Sequence, residues 1–221
     1  MNILFEQPEI DAFYNTYYEM LMDESDRGCI LLGVSILDEQ LDLLFRKILP
    51  DGTSKTKEKQ IFDNKGAFGN IASKLDIAYV CRLLPLHIVE SIKELRKARN
   101  NLAHKTSPFV LRENAEIMYN VLKRLEGKGC ALSCLTNISG EVIFEGFVRE
   151  LLNTEHPVPN FEGEKLFKTV EEIIEHIQSN PSIADSIMER RVRVLFVLSI
   201  LLLNAFLVFY RNRALERLAS E

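Results

Sequence analysis

Apolar residues recur at steps of three and four through most of this chain, the spacing that lines one face of a helix. Residues 8–23 (PEIDAFYNTYYEMLMD) predict a first helix, with Phe13, Tyr17 and Met20 or Leu21 on its apolar side. Asp26 is a suitable N-cap for the next one. From there Ile30, Val34, Leu37, Leu41, Leu44 and Ile48 alternate four and three, and Leu31, Leu32, Ile36, Leu43 and Phe45 widen the stripe. A helix apolar on so much of its circumference is expected to be covered on most sides. Pro50-Asp51-Gly52 ends it. Residues 51–60 (DGTSKTKEKQ) read as a polar, partly basic loop, either a solvated connection or a segment that meets phosphate. Gly66 to Gly69 marks a turn, and Ile71 to Cys81 predicts a helix with Ile71, Leu75 and Ala78 inward.

Residues 84–105 look like the organising element. Pro85 stands where a first-turn proline opens a helix, because its missing N–H is not needed there. Ile88, Ile92, Leu95, Arg99 and Leu102 then share one face, which places an arginine on an otherwise apolar stripe. A charge there needs a partner or a second chain. Ser107-Pro108 interrupts the chain, and residues 111–125 predict another helix through Ala115, Met118, Val121, Leu122 and Leu125. Gly127 to Gly140 changes texture and fits either a short helix with a loop or a small hairpin. Residues 154–164, with two prolines, read as a loop, and 166–179 as an amphipathic helix. His156 and His176 read as surface residues.

The last predicted helix contains the most apolar run, Val194 to Tyr210, interrupted only by Ser199 and Asn204 and flanked by Arg190, Arg191, Arg193, Arg211 and Arg213. Seventeen such residues sit at the lower edge of membrane-spanning length. Arg190, Arg193, Asn204 and Arg211 fall near one line, a narrow polar seam; the short length and the asparagine inside it favour burial among other helices over lipid, and a dimer interface would satisfy the same surface. The pattern as a whole predicts an all-α, single-domain helical bundle of about seven helices over residues 1–221. Its core is 8–125, with helices at 166–179 and 186–218 packing back on it.

Composition narrows the classes. At 221 residues, 47% hydrophobic and 27% charged, the chain is an ordinary globular one with room for a sizeable core. Lys+Arg 27 against Asp+Glu 32 gives a net charge of −5, which argues against nucleic-acid binding over the whole surface but leaves room for a local basic patch. Cys29 and Cys81 lie in apolar helical runs and read as buried free thiols. Cys130 and Cys134 lack a second Cys/His pair at zinc spacing, so no metal site is expected. No basic start precedes an apolar run at the N-terminus, so a reducing cytoplasm is the expected location. The sequence has no phosphate-binding glycine loop, no Gly-x-Ser-x-Gly elbow, no His-Glu-x-x-His and no helix-turn-helix.

The segment Arg99-Asn100-Asn101-Leu102-Ala103-His104 resembles the Arg-x4-His motif of the HEPN superfamily, with a polar residue directly after the arginine. The wider stretch from Gly66 to His104 resembles the mannitol operon repressor (MltR) family, in its Gly-x-x-Gly turn, the Ser73-Lys74-Leu75 that follows and a helix ending near Arg-Asn-x-x-Ala-His. Asp26-Arg27-Gly28 with CILLGVSILDEQLDLLF fits that family's opening helix. The similarity covers the first half of the chain well and the last helix weakly. Similarity to HEPN ribonucleases implies a homodimeric site and a cyclic phosphate product.

Cleaving RNA without a metal or other cofactor needs a base for the 2′-hydroxyl, a cation for the phosphate and an acid for the leaving oxygen. Histidine titrates near neutral pH, and arginine offers a donor fork matched to phosphate oxygens. In that scheme Arg99 binds and polarises phosphate, and His104 transfers a proton or orients the 2′-hydroxyl. Asn100 orients His104 or bonds substrate, and Lys97 and Lys105 add positive charge for substrate binding. One pair is thin for three roles; if two chains pack antiparallel through this helix, two arginines and two histidines meet in one cleft, the dimeric site that the HEPN resemblance implies. The competing expectation makes Arg99 structural, paired with Asp38 or Glu39, and His104 a helix cap. The chain would then be a non-catalytic MltR-like regulator acting through a partner protein, and in the toxin version of the first reading the partner would be an antitoxin.

Overall fold

The computed structural model describes residues 8–103, 109–126, 131–158 and 163–220. Among them the chain is all-α: nine helices, with an isolated bridge between Glu155 and Lys165 in place of any strand. In order these are α1 (Pro8–Asp23), α2 (Asp26–Lys47), α3 (Lys55–Phe62), α4 (Ile71–Val80), α5 (Leu86–Ala103), a 3-10 turn Arg112–Asn114, α6 (Glu116–Glu126), α7 (Ala131–Asn153), α8 (Val170–Ser179) and α9 (Pro181–Ala219). One large apolar core takes side chains from α1, α2, α4, α5, α6, α7 and α9.

The centre of the bundle is α9 and not α5. α9 runs for 39 residues, opens with Pro181 in its first turn and packs against α2 most extensively, then α1 and α7. Val194, Leu195, Phe196 and Val197 are consecutive and all buried, so successive faces of the helix meet other helices. By length and composition this helix could cross a membrane, yet 72% of its most apolar window is buried inside the bundle. α2 crosses it closely: Gly33 lies against Ile200, and a Cβ there would come within 3.1 Å of that side chain.

The polar seam of α9 is real in part. Arg193 donates to the Met22 carbonyl at 3.0 Å and pairs with Asp26, and Arg211 pairs with Glu9, so both ends of the seam bond to α1 or its junction with α2. Arg190 leaves the line for a loose surface pair with Glu150. Asn204, midway, is wholly buried.

Several elements differ from expectation. Ser25, not Asp26, caps α2, its hydroxyl accepting from the Gly28 N–H. Asp26 instead makes tertiary bonds, accepting from the Leu111 N–H at 2.7 Å as well as from Arg193. Of residues 51–60, expected as loop, those from Lys55 on belong to α3 (Lys55–Phe62). Ser54 caps it, Glu58 pairs with Arg46 of α2, and the same guanidinium lies 4.0 Å over the Phe62 ring. α3 buries none of its residues fully, so there was no apolar stripe to read. From Ala131 on, the stretch read as a short helix with a loop or a hairpin is the long helix α7, and the first turn of 111–125 is the 3-10 turn that precedes α6. The helix expected from 166 starts at Val170, where Thr169 accepts from the Glu172 N–H. The turn at 66–69 is as read: a Cβ on Gly66 would lie 2.3 Å from the carbonyl oxygens of Gln60 and Ile61, so only glycine fits.

Candidate functional site

α5 is held by its apolar stripe. Ile88, Ile92, Leu95, Ala98 and Leu102 are buried, and Ser91 ties the helix to α6 by donating to the Val121 carbonyl at 3.1 Å. Ala98, not Arg99, continues the stripe between Leu95 and Leu102. Arg99 falls one position outside it and is exposed. The expected pairing with Asp38 is absent because Lys74 of α4 occupies that carboxylate and also meets Asp42 at 2.6 Å. Among the described residues Arg99 forms no ion pair; its Nη1 donates to the Asn100 Oδ1 at 3.2 Å.

The structure brings two of the expected site residues together and sets Lys97 apart from them. Arg99 and Asn100 are in contact. Lys97 lies on a different side of α5, since residues two apart on a helix do not face each other. It lines a groove of about 380 Å³ between α5 and α6, with Glu94, Asn101, Asn114, Glu116 and Asn120. Glu94 is neutralised there by Arg124 at 2.6 Å. Neither Arg99 nor Asn100 lines that groove. Within one chain, therefore, Lys97 and Arg99 do not converge on one ligand atom. His104 and Lys105 lie outside the described residues, as does Cys130. On the other flank of α5, Lys93 bonds Asp76 at 3.0 Å, and that hydrogen bond pushes its ammonium pKa above the ordinary value.

Among the described residues no group of three or more His, Cys, Asp or Glu side chains is arranged to hold a metal ion. Cys29 is buried against α9, and desolvation raises its thiol pKa to about 12, so it stays protonated and unreactive near neutral pH. Cys81, expected to be buried, is exposed, because α4 ends at Val80 and Cys81 is its C-cap rather than part of its apolar face; Cys134 is half-buried.

A second concavity, at the N-terminal end of α5, carries Arg82, Arg213 and Arg217. No sequence motif pointed to it, because its residues come from stretches far apart in the chain. The one local signal was the lack of a glycine between the end of α4 and Pro85, where a helix stop usually has one. Comparison with known proteins returned no matching family model, no matching characterised sequence and no matching solved structure.

Proposed function

We propose that this chain is a metal-independent endoribonuclease of the HEPN-like kind, of the toxin or phage-defence type, acting through Arg99 and His104 at a homodimer cleft. The observation that carries this reading is the state of Arg99. It is exposed on the last turn of α5, no carboxylate among the described residues holds it, and its one hydrogen bond is to the neighbouring Asn100. An arginine retained for structure would be expected to pair; this one presents its fork outward, available to a phosphate. Asn100 keeps that fork from swinging freely. In the reaction Arg99 stabilises charge building on the scissile phosphate, and His104 carries the proton to or from the reacting oxygens. Arg96, three residues before Arg99 on the same helix, is its neighbour and adds positive charge, whereas Lys97 projects to another side; the second Arg99–His104 pair comes from a second copy packed against the same helix.

The test is RNA cleavage by the full chain in EDTA, with Arg99→Ala and His104→Ala in parallel. Losing a positioned proton-transfer group lowers rate by roughly 10² to 10⁴, so both variants should fall to background. Cleavage at wild-type rate by either variant would remove that residue from the mechanism.

A second reading has its own supporting observation. The groove beside Lys97 also carries Glu116, a carboxylate without an ion-pair partner among the described residues, which repels phosphate. That suits a non-catalytic MltR-like regulator, whose helical face meets a partner protein. It predicts no cleavage, and recovery of one stable partner by the tagged full chain. Direct, salt-sensitive and sequence-specific DNA binding by the pure protein would contradict the partner-only form.

A further inference from the structure

The concavity between the α4–α5 turn and the end of α9 has a volume of about 550 Å³, within the range of small-molecule sites. Its polar groups are Arg82 from the turn and Arg213 and Arg217 from α9, with Tyr79 and Tyr210. Arg213 and Arg217 are four residues apart and so share one face of α9. No carboxylate lines this concavity, and none of the three arginines forms an ion pair among the described residues. Three other concavities of the bundle each hold at least two carboxylates. In a chain of net charge −5, three unpaired guanidiniums around one hollow are against the trend of the surface.

Arg82 is there at a conformational penalty. The Leu83 N–H bonds the Ala78 carbonyl at 2.8 Å and the Arg82 N–H bonds the Tyr79 carbonyl at 3.0 Å, the two bonds of a Schellman stop after α4. That motif puts its central residue in the left-handed region, and Arg82 has φ 58, the one positive φ on a non-glycine residue among those described. Glycine would adopt this backbone without strain. The helix stop therefore gives no reason for an arginine at this position. Strained backbone of this kind concentrates at functional sites.

The rest of the lining gives the ligand its body. Leu84, Pro85, Ala214 and Leu218 are apolar, and Tyr79 and Tyr210 add aromatic surface. Of these Leu218 is 52% exposed, so part of the apolar lining is open to water. A bare inorganic anion would use the guanidiniums and leave these surfaces in water. We propose that this pocket binds a phosphate ester with an apolar or aromatic body, its phosphate held by Arg82, Arg213 and Arg217. A free nucleotide and a phosphorylated lipid headgroup at a membrane surface share this chemistry. The site is independent of Arg99, which lies at the opposite end of the 18-residue α5.

The test uses the full chain and two probes. One is adenosine 5′-monophosphate by calorimetry, with adenosine as the uncharged control. The other is phosphatidylcholine vesicles with or without phosphatidylinositol 4-phosphate, by co-sedimentation. Saturable binding of the nucleotide, absent for adenosine, supports the proposal with a soluble source. Sedimentation only with the phosphorylated lipid supports it with a membrane source. In either case Arg82→Gly should weaken binding about tenfold or more through loss of charged hydrogen bonds, while its melting temperature stays level or rises. Arg213→Gln, on an exposed helical position, should weaken it likewise. Failure of both probes to bind, binding of adenosine as tight as the nucleotide's, or unchanged affinity in Arg82→Gly and Arg213→Gln would overturn it.

Discussion

Asn204→Leu should stabilise this protein. Asn204 sits in the middle of α9, between Arg193 and Arg211 on the side that meets α1, and is 0% exposed. Neither its Nδ2 nor its Oδ1 has a hydrogen-bond partner among the described residues. A buried polar group left unbonded costs about 1–3 kcal/mol in lost hydration. Leucine has the same number of side-chain heavy atoms, so it removes the desolvation penalty with little change in shape. Its better helix propensity adds a few tenths of a kcal/mol. Against this stands the risk of overpacking, about 1–3 kcal/mol where the extra bulk of two methyl groups finds no room. Ala205 and Val208 beside it are small, and with Ile10 of α1 they form their own apolar cluster, so the site is already suited to a hydrocarbon. The net expectation is a gain of about 1–2 kcal/mol, or roughly 2–8 °C in Tm for a chain of this size. Urea unfolding followed by circular dichroism reads it as a higher midpoint at unchanged slope. A loss of stability of 1 kcal/mol or more at unchanged slope would refute the reasoning. Asn204→Ala, which cannot overpack, then separates the causes: a loss there beyond that of the removed packing means that the carboxamide is bonded in solution, and its absence means that leucine is overpacked.

Two further outcomes follow from the same packing. Asp26→Ala removes the partner of Arg193 and of the Leu111 N–H at once, tying α2, α9 and the segment before α6. With bonds to charged groups at about 1.5–3 kcal/mol each and both partners partly exposed, unfolding should show a loss of about 2–4 kcal/mol; a loss under 0.5 kcal/mol would show the junction is not held there. The second outcome concerns pH. The folded Cys29 thiol has its pKa raised from 9.0 to about 12, chiefly by desolvation, so above pH 9 the unfolded state releases a proton that the folded state keeps. The contribution is present in full below pH 9 and is lost as pH rises towards 12, at up to about 1.4 kcal/mol per pH unit. Cys29→Ala should flatten the alkaline limb of the stability profile, and an unchanged limb would place the cause elsewhere.

Helix identity was legible where an apolar stripe recorded burial. α1 begins and ends where the periodicity does, and α2 carries its stripe along its full length because two of its sides are covered. α3 was not legible: nothing on it is fully buried, and what holds it is a serine cap, Glu58 on Arg46 and a guanidinium over Phe62. Such polar contacts leave no period in the sequence. The first turn of α8 was misread for a related reason, since Thr169 and Glu172 set the start and the apolar residues before it do not.

The candidate site divides in the same way. The sequence by itself determined that the chain is all-α, that α5 ends in Arg99-Asn100, and that α9 carries a line of Arg193, Asn204 and Arg211. Those are properties of local spacing, and a helix turns spacing into faces. Only the tertiary structure decided that Ala98 displaces Arg99 from the core, because a one-residue difference in phase can be settled only by the helices packed against it. It alone decided that Lys74 takes Asp38, that α9 rather than α5 is the hub, and that Arg82, Arg213 and Arg217 share one hollow. Those facts join residues up to 135 positions apart, counting from Arg82 to Arg217. Which distant side chains come together depends on how whole helices dock, and docking is driven by burial of the apolar surface summed over many elements, which no single stretch records.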